Sequence, residues 1–201
     1  MSNLTDLTGL AGIASAASAL MLLLPGMANM TKPRLALLLA AVFVLMLIPL
    51  GEMPLAAYVR GVTGDLSITT LVLLWCALLQ PWLDKSVQQN KQSRHTLLIL
   101  VALTALALYP MALGIGTFDP YRLGYSNPLF VGALLIIAVT AWLNRFYLVA
   151  LCIALATLAW ATGWYESDNL WDYLLDPFVA IYALAVVMAR AAKVQYARLL
   201  P

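Results

Sequence analysis

At 201 residues, 64% of them hydrophobic and 10% charged, with a mean hydropathy of +0.91, the chain has more apolar surface than a water-soluble domain of its length can bury. The excess is expected to face lipid. A net charge of +2 from scattered cations excludes nucleic acid as a partner, and no Ser/Gly-rich linker or charge block divides the chain, so residues 1–201 read as one transmembrane domain.

The first residues lack the positively charged region of a cleaved signal peptide, so the first apolar run, 8–27, is expected to remain as a helix. Within it, Gly9, Gly12, Ser15, Ala16 and Ala19 form a small-residue surface on which a neighbouring helix of this chain, or a partner membrane protein, can pack closely. Six further runs follow at 35–50, 66–83, 96–115, 128–143, 146–164 and 177–192. Asn144 and Arg145 alone separate the fifth run from the sixth. Together those two runs reach about 37 residues, near twice the length that crosses the hydrocarbon layer, so they are counted separately. Pro49, Pro54, Pro81 and Pro110 fall near the ends of runs and read as helix terminators. The expected fold class is therefore all-α: a polytopic transmembrane bundle of about seven helices, with short interfacial helices in the outer loops.

Charge sets the orientation. With the N-terminus outside and the C-terminus in the cytoplasm, Lys32, Arg34, Lys85, Lys91, Arg94, Arg145, Arg190, Lys193 and Arg198 are cytoplasmic, and only Arg60 and Arg122 are outside. The same arrangement puts Asp6, Glu52, Asp65, Asp119, Glu166, Asp168, Asp172 and Asp176 outside and Asp84 inside. Aromatic belts agree with it, with Trp82, Trp142, Phe146 and Tyr147 at the inner boundary and Tyr58, Tyr109, Tyr121, Tyr125, Trp164, Tyr165 and Trp171 near the outer one. A bacterial cytoplasmic membrane is the expected location.

The outer connections hold the candidate chemistry. In 51–65, Pro54 suits the first turn of a short interfacial helix over 55–60 and Gly61 its end, which would hold Glu52, Arg60 and Asp65 at the membrane surface. In 114–125, Asp119 and Pro120 start a turn, while Gly116 and Gly124 permit positive φ or close backbone approach. In 166–177, a short amphipathic helix capped by Ser167 or Asp168 would direct Leu170, Trp171, Leu174 and Leu175 inward. Asp168, Asp172 and Asp176 recur every four residues, so a continuous helix would align them on one face. Three such carboxylates can bind a divalent cation, the one cofactor suggested, or they can form a solvated helix edge. Arg60 and Arg122 can each grip a phosphate or carboxylate, or tie loops together by pairing with Asp65 or Asp119.

Elsewhere the sequence offers little chemistry. His95, the only histidine, stands beside Arg94 in the polar cytoplasmic segment 84–96, and Cys76 and Cys152 lie inside apolar runs, which leaves no Ser/His or Cys/His set at the outer face. The first functional reading is an integral membrane subunit that docks or scaffolds an envelope component through its acidic and aromatic outer face. The alternative is an enzyme of the outer leaflet acting on a lipid-linked or amphipathic anionic substrate. Its catalytic carboxylates would come from Asp168, Asp172, Asp176, Asp65, Glu52 and Asp119, with Arg60, Arg122, Tyr58, Tyr121 and Trp171 binding substrate. A transporter or channel is a third reading, weakened by the scarcity of ionisable groups at mid-depth.

Overall fold

The computed structural model describes residues 2–83 and 91–199. Asp84, Lys85 and the rest of 84–90 lie outside the described residues. Nine α-helices occur among those described: α1 Ser2–Met21, α2 Lys32–Leu47, α3 Leu55–Thr63, α4 Ile68–Leu79, α5 Lys91–Ala112, α6 Pro128–Leu143, α7 Tyr147–Ala161, α8 Leu170–Leu174 and α9 Pro177–Leu199. Two 3-10 turns, Met27–Asn29 and Pro120–Gly124, join them, and no strand is present among the described residues. The all-helical class is as expected from the sequence.

Local chemistry explains many of the boundaries. The first N–H groups of a helix lack intrahelical partners, and side-chain oxygens supply them. Ser67 Oγ accepts from Thr70 N to start α4, and Asn127 Oδ1 accepts from Leu129 N and Phe130 N to start α6 beside Pro128. Asn169 caps α8, and Asp176 Oδ1 accepts from Val179 N in the first turn of α9. Gly64, at φ 72°, closes α3 in a backbone region that side chains resist.

Several expectations are corrected. Helix length and composition permit a membrane crossing for two helices, Gln92–Ala112 and Pro177–Tyr196, whereas Asp6–Met21, Ile68–Leu79, Pro128–Leu143 and Tyr147–Ala161 are shorter apolar helices, so seven spans do not follow from helix length. The helix in the first outer connection runs past Gly61, and Gly64, at positive φ, is the residue that ends it. Pro110 lies inside the last turn of α5 and does not end it. The described part of the polar segment 84–96 is already helical from Lys91.

The Asp168, Asp172 and Asp176 stripe does not form either. α8 has five residues, and the run is broken on both sides: Asn169 is its non-helical cap, and Leu175 is extended at φ −144° and ψ 134°. Asp176 precedes Pro177, a position at which proline disfavours helical backbone.

Helices α1, α2, α3 and one side of α4 pack around Ile13, Ala14, Met46, Ala56 and Leu66. The other side of α4 joins α5 to α9 in the larger core, where Leu170, Tyr173, Ala156 and Ala183 are fully buried. The small-residue face of α1 is taken up within the chain. A Cβ at Gly9 would collide with Arg60 and Asp65, Gly12 sits against Leu71, and Ala19 is buried; Ala16 packs at the edge of the smaller core. Ser18 Oγ lies 3.1 Å from the Leu39 carbonyl of α2.

One carboxylate joins two helix starts. Asp176 is 5% exposed, and its Oδ2 accepts from Ser67 N at 2.7 Å and from the Thr70 hydroxyl, while Oδ1 accepts from Val179 N at 2.8 Å. Each donor stranded in the interior costs about 1–3 kcal/mol, so Asp176→Ala is expected to lower stability by about 3 kcal/mol or more. Asp168→Ala, at an exposed carboxylate, is expected to stay within about 0.5 kcal/mol. Unfolding in mild detergent measures both, and equal midpoints for the two variants would refute the role given to Asp176.

Candidate functional site

Contacts gather most of the acids at one end of the helices. Asp6 of α1 meets Arg60 of α3, Thr8 of α1 meets the Trp164 carbonyl beyond α7, and Ser67 before α4 meets Asp176 before α9. The opposite end carries the starts of α5 and α7, linked by Leu148 N donating to Ser93 Oγ at 3.0 Å, and the C-terminal part of α9.

At the acidic end, the second and third connections converge. Asp119 Oδ1 accepts from Tyr121 N and caps the 3-10 turn Pro120–Gly124. That turn is pinned to α8 by two side chains: Trp171 Nε1 donates to the Pro120 carbonyl at 3.0 Å, and Asn169 Nδ2 donates to the Tyr121 carbonyl at 3.0 Å. Gly124 makes the approach possible, since a Cβ there would occupy the space of the Asn169 amide. The Tyr121 hydroxyl then reaches both oxygens of Asp172, at 2.8 and 3.0 Å, and Ser167 Oγ donates to Asp172 Oδ2 at 2.5 Å. Trp171 packs against Phe130 of α6 with ring centroids 4.6 Å apart and the ring planes tilted by 35°.

Beneath α8 lies an apolar cavity of about 190 Å³, walled by Thr69, Thr104, Leu134, Cys152, Trp171 and Leu175, among others. Behind it, Tyr173 stacks on Tyr165, and its hydroxyl meets Tyr165 N and the carbonyl of Ser167 at 3.1 and 3.0 Å.

The sequence candidates thus fall into separate places. Asp172, Tyr121 and Trp171 come together; Asp176 is a helix cap; Asp119 is a turn cap. Arg60 forms a bidentate pair with Asp65, at 2.7 and 3.0 Å, and donates a third bond to Asp6 at 2.8 Å. Hydrogen bonding to Asp65, opposed by burial and aided by Asp6, holds the guanidinium above its ordinary value. Glu52, Tyr58, Arg122 and Asp168 are exposed. Among the described residues no group of three His, Cys, Asp or Glu side chains is arranged to hold a metal ion. For the Asp168, Asp172 and Asp176 set the reason is geometric: the helix is broken on both sides of α8, Asp172 faces Tyr121 and Ser167, Asp176 faces Ser67, Thr70 and Val179, and Asp168 is exposed.

Ser67, Thr70 and Asn169 were missing from the sequence candidates, although Ser67 and Asn169 stand directly before apolar helix starts and carry a capping signature; the cap of α8 is Asn169 and not Ser167 or Asp168, and Ser167 instead donates to Asp172. Arg94 was also missed. Its guanidinium donates to the Tyr182 hydroxyl at 2.6 Å, six residues into α9, which draws a charged group inward from the end of α5.

Burial first, and then the hydrogen bond to Asp172, raises the Tyr121 phenol; burial first, and then nearby Asp65, raises Tyr165. Both phenols therefore keep their protons in the folded state at pH values where the unfolded chain, near the ordinary 10.0, has begun to lose them. Their contribution to stability is complete below that pH and is lost as pH rises above it. Unfolding in detergent across this window is expected to show the fall, and Tyr121→Phe to make it shallower. A flat profile would contradict the assignment.

No protein-family model, no curated protein and no solved structure matches this chain.

Proposed function

We propose that the chain is a non-catalytic integral membrane subunit of the bacterial cytoplasmic membrane. In this reading it crosses the bilayer seven times with its N-terminus outside and docks an envelope component through its acidic, aromatic outer face. One observation carries the choice of docking over carboxylate chemistry: the buried and half-buried acids are already engaged by structural donors. Asp176 serves two helix starts, Asp65 serves Arg60, Asp172 serves Tyr121 and Ser167, and Asp119 serves its own turn. A general acid or base, or a metal ligand, needs an oxygen free to reach substrate or ion.

What remains open on that face suits recognition. Tyr125 and Phe118 are more than half exposed, Tyr58 and Trp164 about half, and Glu52, Glu166, Asp168 and Arg122 are exposed around them. Aromatic and Arg side chains favour protein contacts, and a surrounding set of acids adds selectivity by charge. The helix flanks support the membrane setting, with Leu37, Val44, Leu129, Leu135, Ile136, Leu143, Ile181 and Met188 all outward and about half exposed or more.

Single cysteines introduced at positions 65 and 88 are expected to react with an impermeant label from opposite compartments, and labelling of both from one side would end the seven-span reading. Isolation from native membranes in mild detergent is expected to bring down one stoichiometric partner. Tyr125→Ala combined with Trp164→Ala should weaken that recovery at least tenfold, since interface aromatics often contribute about 2 kcal/mol or more each. Recovery of the chain alone would remove the docking reading.

A further inference from the structure

At the basic end, α5 and α9 part to leave an open groove of about 590 Å³, lined by His95, Ile99, Val187, Arg190, Val194 and Gln195 together with Ala191. Its walls divide by chemistry along the helix axes. Ile99 and Val187 form the part nearer the middle of the bundle, while His95 and Arg190 stand one turn nearer the end, four residues before Ile99 and three after Val187.

Positive charge at this groove has little to offset it. The ion pairs among the described residues both belong to Arg60 at the other end, and Arg190 is exposed. Lys193, one turn beyond Arg190, is exposed as well. Eight of the nine acids of the sequence fall in the connections and helix ends of the acidic end, and the ninth, Asp84, lies outside the described residues. Arg94 is turned toward Tyr182, so the groove is left to Arg190 and His95. Nδ1 of His95 is buried with no hydrogen-bond partner among the described residues, while the residue as a whole is half-buried and lines the groove.

We propose that this groove binds one anionic phospholipid, with its phosphate at Arg190 and His95 and an acyl chain along Ile99 and Val187. The proposal rests on the membrane setting of the proposed function but not on its docking partner. Charge complementarity selects the headgroup. The planar guanidinium fork matches two phosphate oxygens, and basic pockets between membrane helices suit anionic headgroups, whereas a zwitterionic lipid would set its own cation among Arg190 and Lys193. The apolar wall selects a lipid over a free anion, because inorganic phosphate would leave Ile99 and Val187 uncovered.

The test uses the purified full-length chain in neutral detergent and measures retained lipid by native mass spectrometry. Phosphatidylglycerol and phosphatidylcholine of matched acyl chains are the probes, with inorganic phosphate as competitor. The wild type is expected to retain phosphatidylglycerol in preference to phosphatidylcholine, Arg190→Gln to reduce that retention about fivefold, and Arg190→Lys to fall between them. Arg122→Gln, which removes a cation from the other end, should leave retention unchanged. Equal retention of the two lipids by the wild type, undiminished phosphatidylglycerol on Arg190→Gln, or its displacement by inorganic phosphate would each overturn the proposal. A chain that requires detergent yet ignores headgroup charge removes the lipid site alone, whereas one that stays in solution without detergent removes the membrane setting as well.

Discussion

The Asp176 carboxylate is the constraint on which the acidic end depends. Two helices, α4 and α9, begin beside each other, and their first N–H groups need acceptors in a region from which water is excluded. One side chain answers both, with Oδ2 turned to Ser67 and Thr70 and Oδ1 turned to Val179. A buried carboxylate is costly unless fully hydrogen-bonded, and a stranded helix N-terminus is costly unless capped, so each requirement offsets the other. The start of α9 is thereby fixed to the start of α4 across 109 positions of sequence.

Because α8 ends at Leu174, two residues before Asp176, that anchor also places the segment 165–175 over the helix ends. Leu170 and Tyr173 are then fully buried, Tyr173 is stacked on Tyr165, and Trp171 is held between Phe130 and the Pro120 carbonyl. The Pro120–Gly124 turn follows Trp171 and Asn169, and Asp172 receives Tyr121 as a consequence. Five carboxylates of this end, those of Asp6, Asp65, Asp119, Asp172 and Asp176, are thus engaged by structural donors in separate groups, while Glu52, Glu166 and Asp168 are exposed.

The two ends of the bundle differ in how their charges are used. At the acidic end, Arg60 is surrounded by Asp65 and Asp6 and rests on α1 at Gly9, where the missing side chain makes room for the ion pair. At the basic end, Arg190 and His95 border an open groove with apolar walls. Satisfied charges rigidify; unsatisfied ones beside an apolar surface create a place for an amphipathic anion.

Much of this architecture was legible in the residues. Each of the seven apolar runs coincides with an α-helix among the described residues, Asp119 with Pro120 marked its turn, and Gly124 marked a close backbone approach, because such signals act over four residues or fewer along the chain. The same local range explains the failures. A period of four in Asp168, Asp172 and Asp176 suggested one helical face, yet Asn169 and Pro177 broke the helix on either side. Tertiary structure alone decided which carboxylate meets which donor: Asp176 with Ser67, Asp172 with Tyr121 at a separation of 51, and Arg60 with Asp6 at 54. It also decided that Arg94 turns to Tyr182, 88 positions away, and leaves Arg190 to the groove. Composition and periodicity record what a residue prefers beside its chain neighbours; the partner of a buried charge is set by how the helices pack.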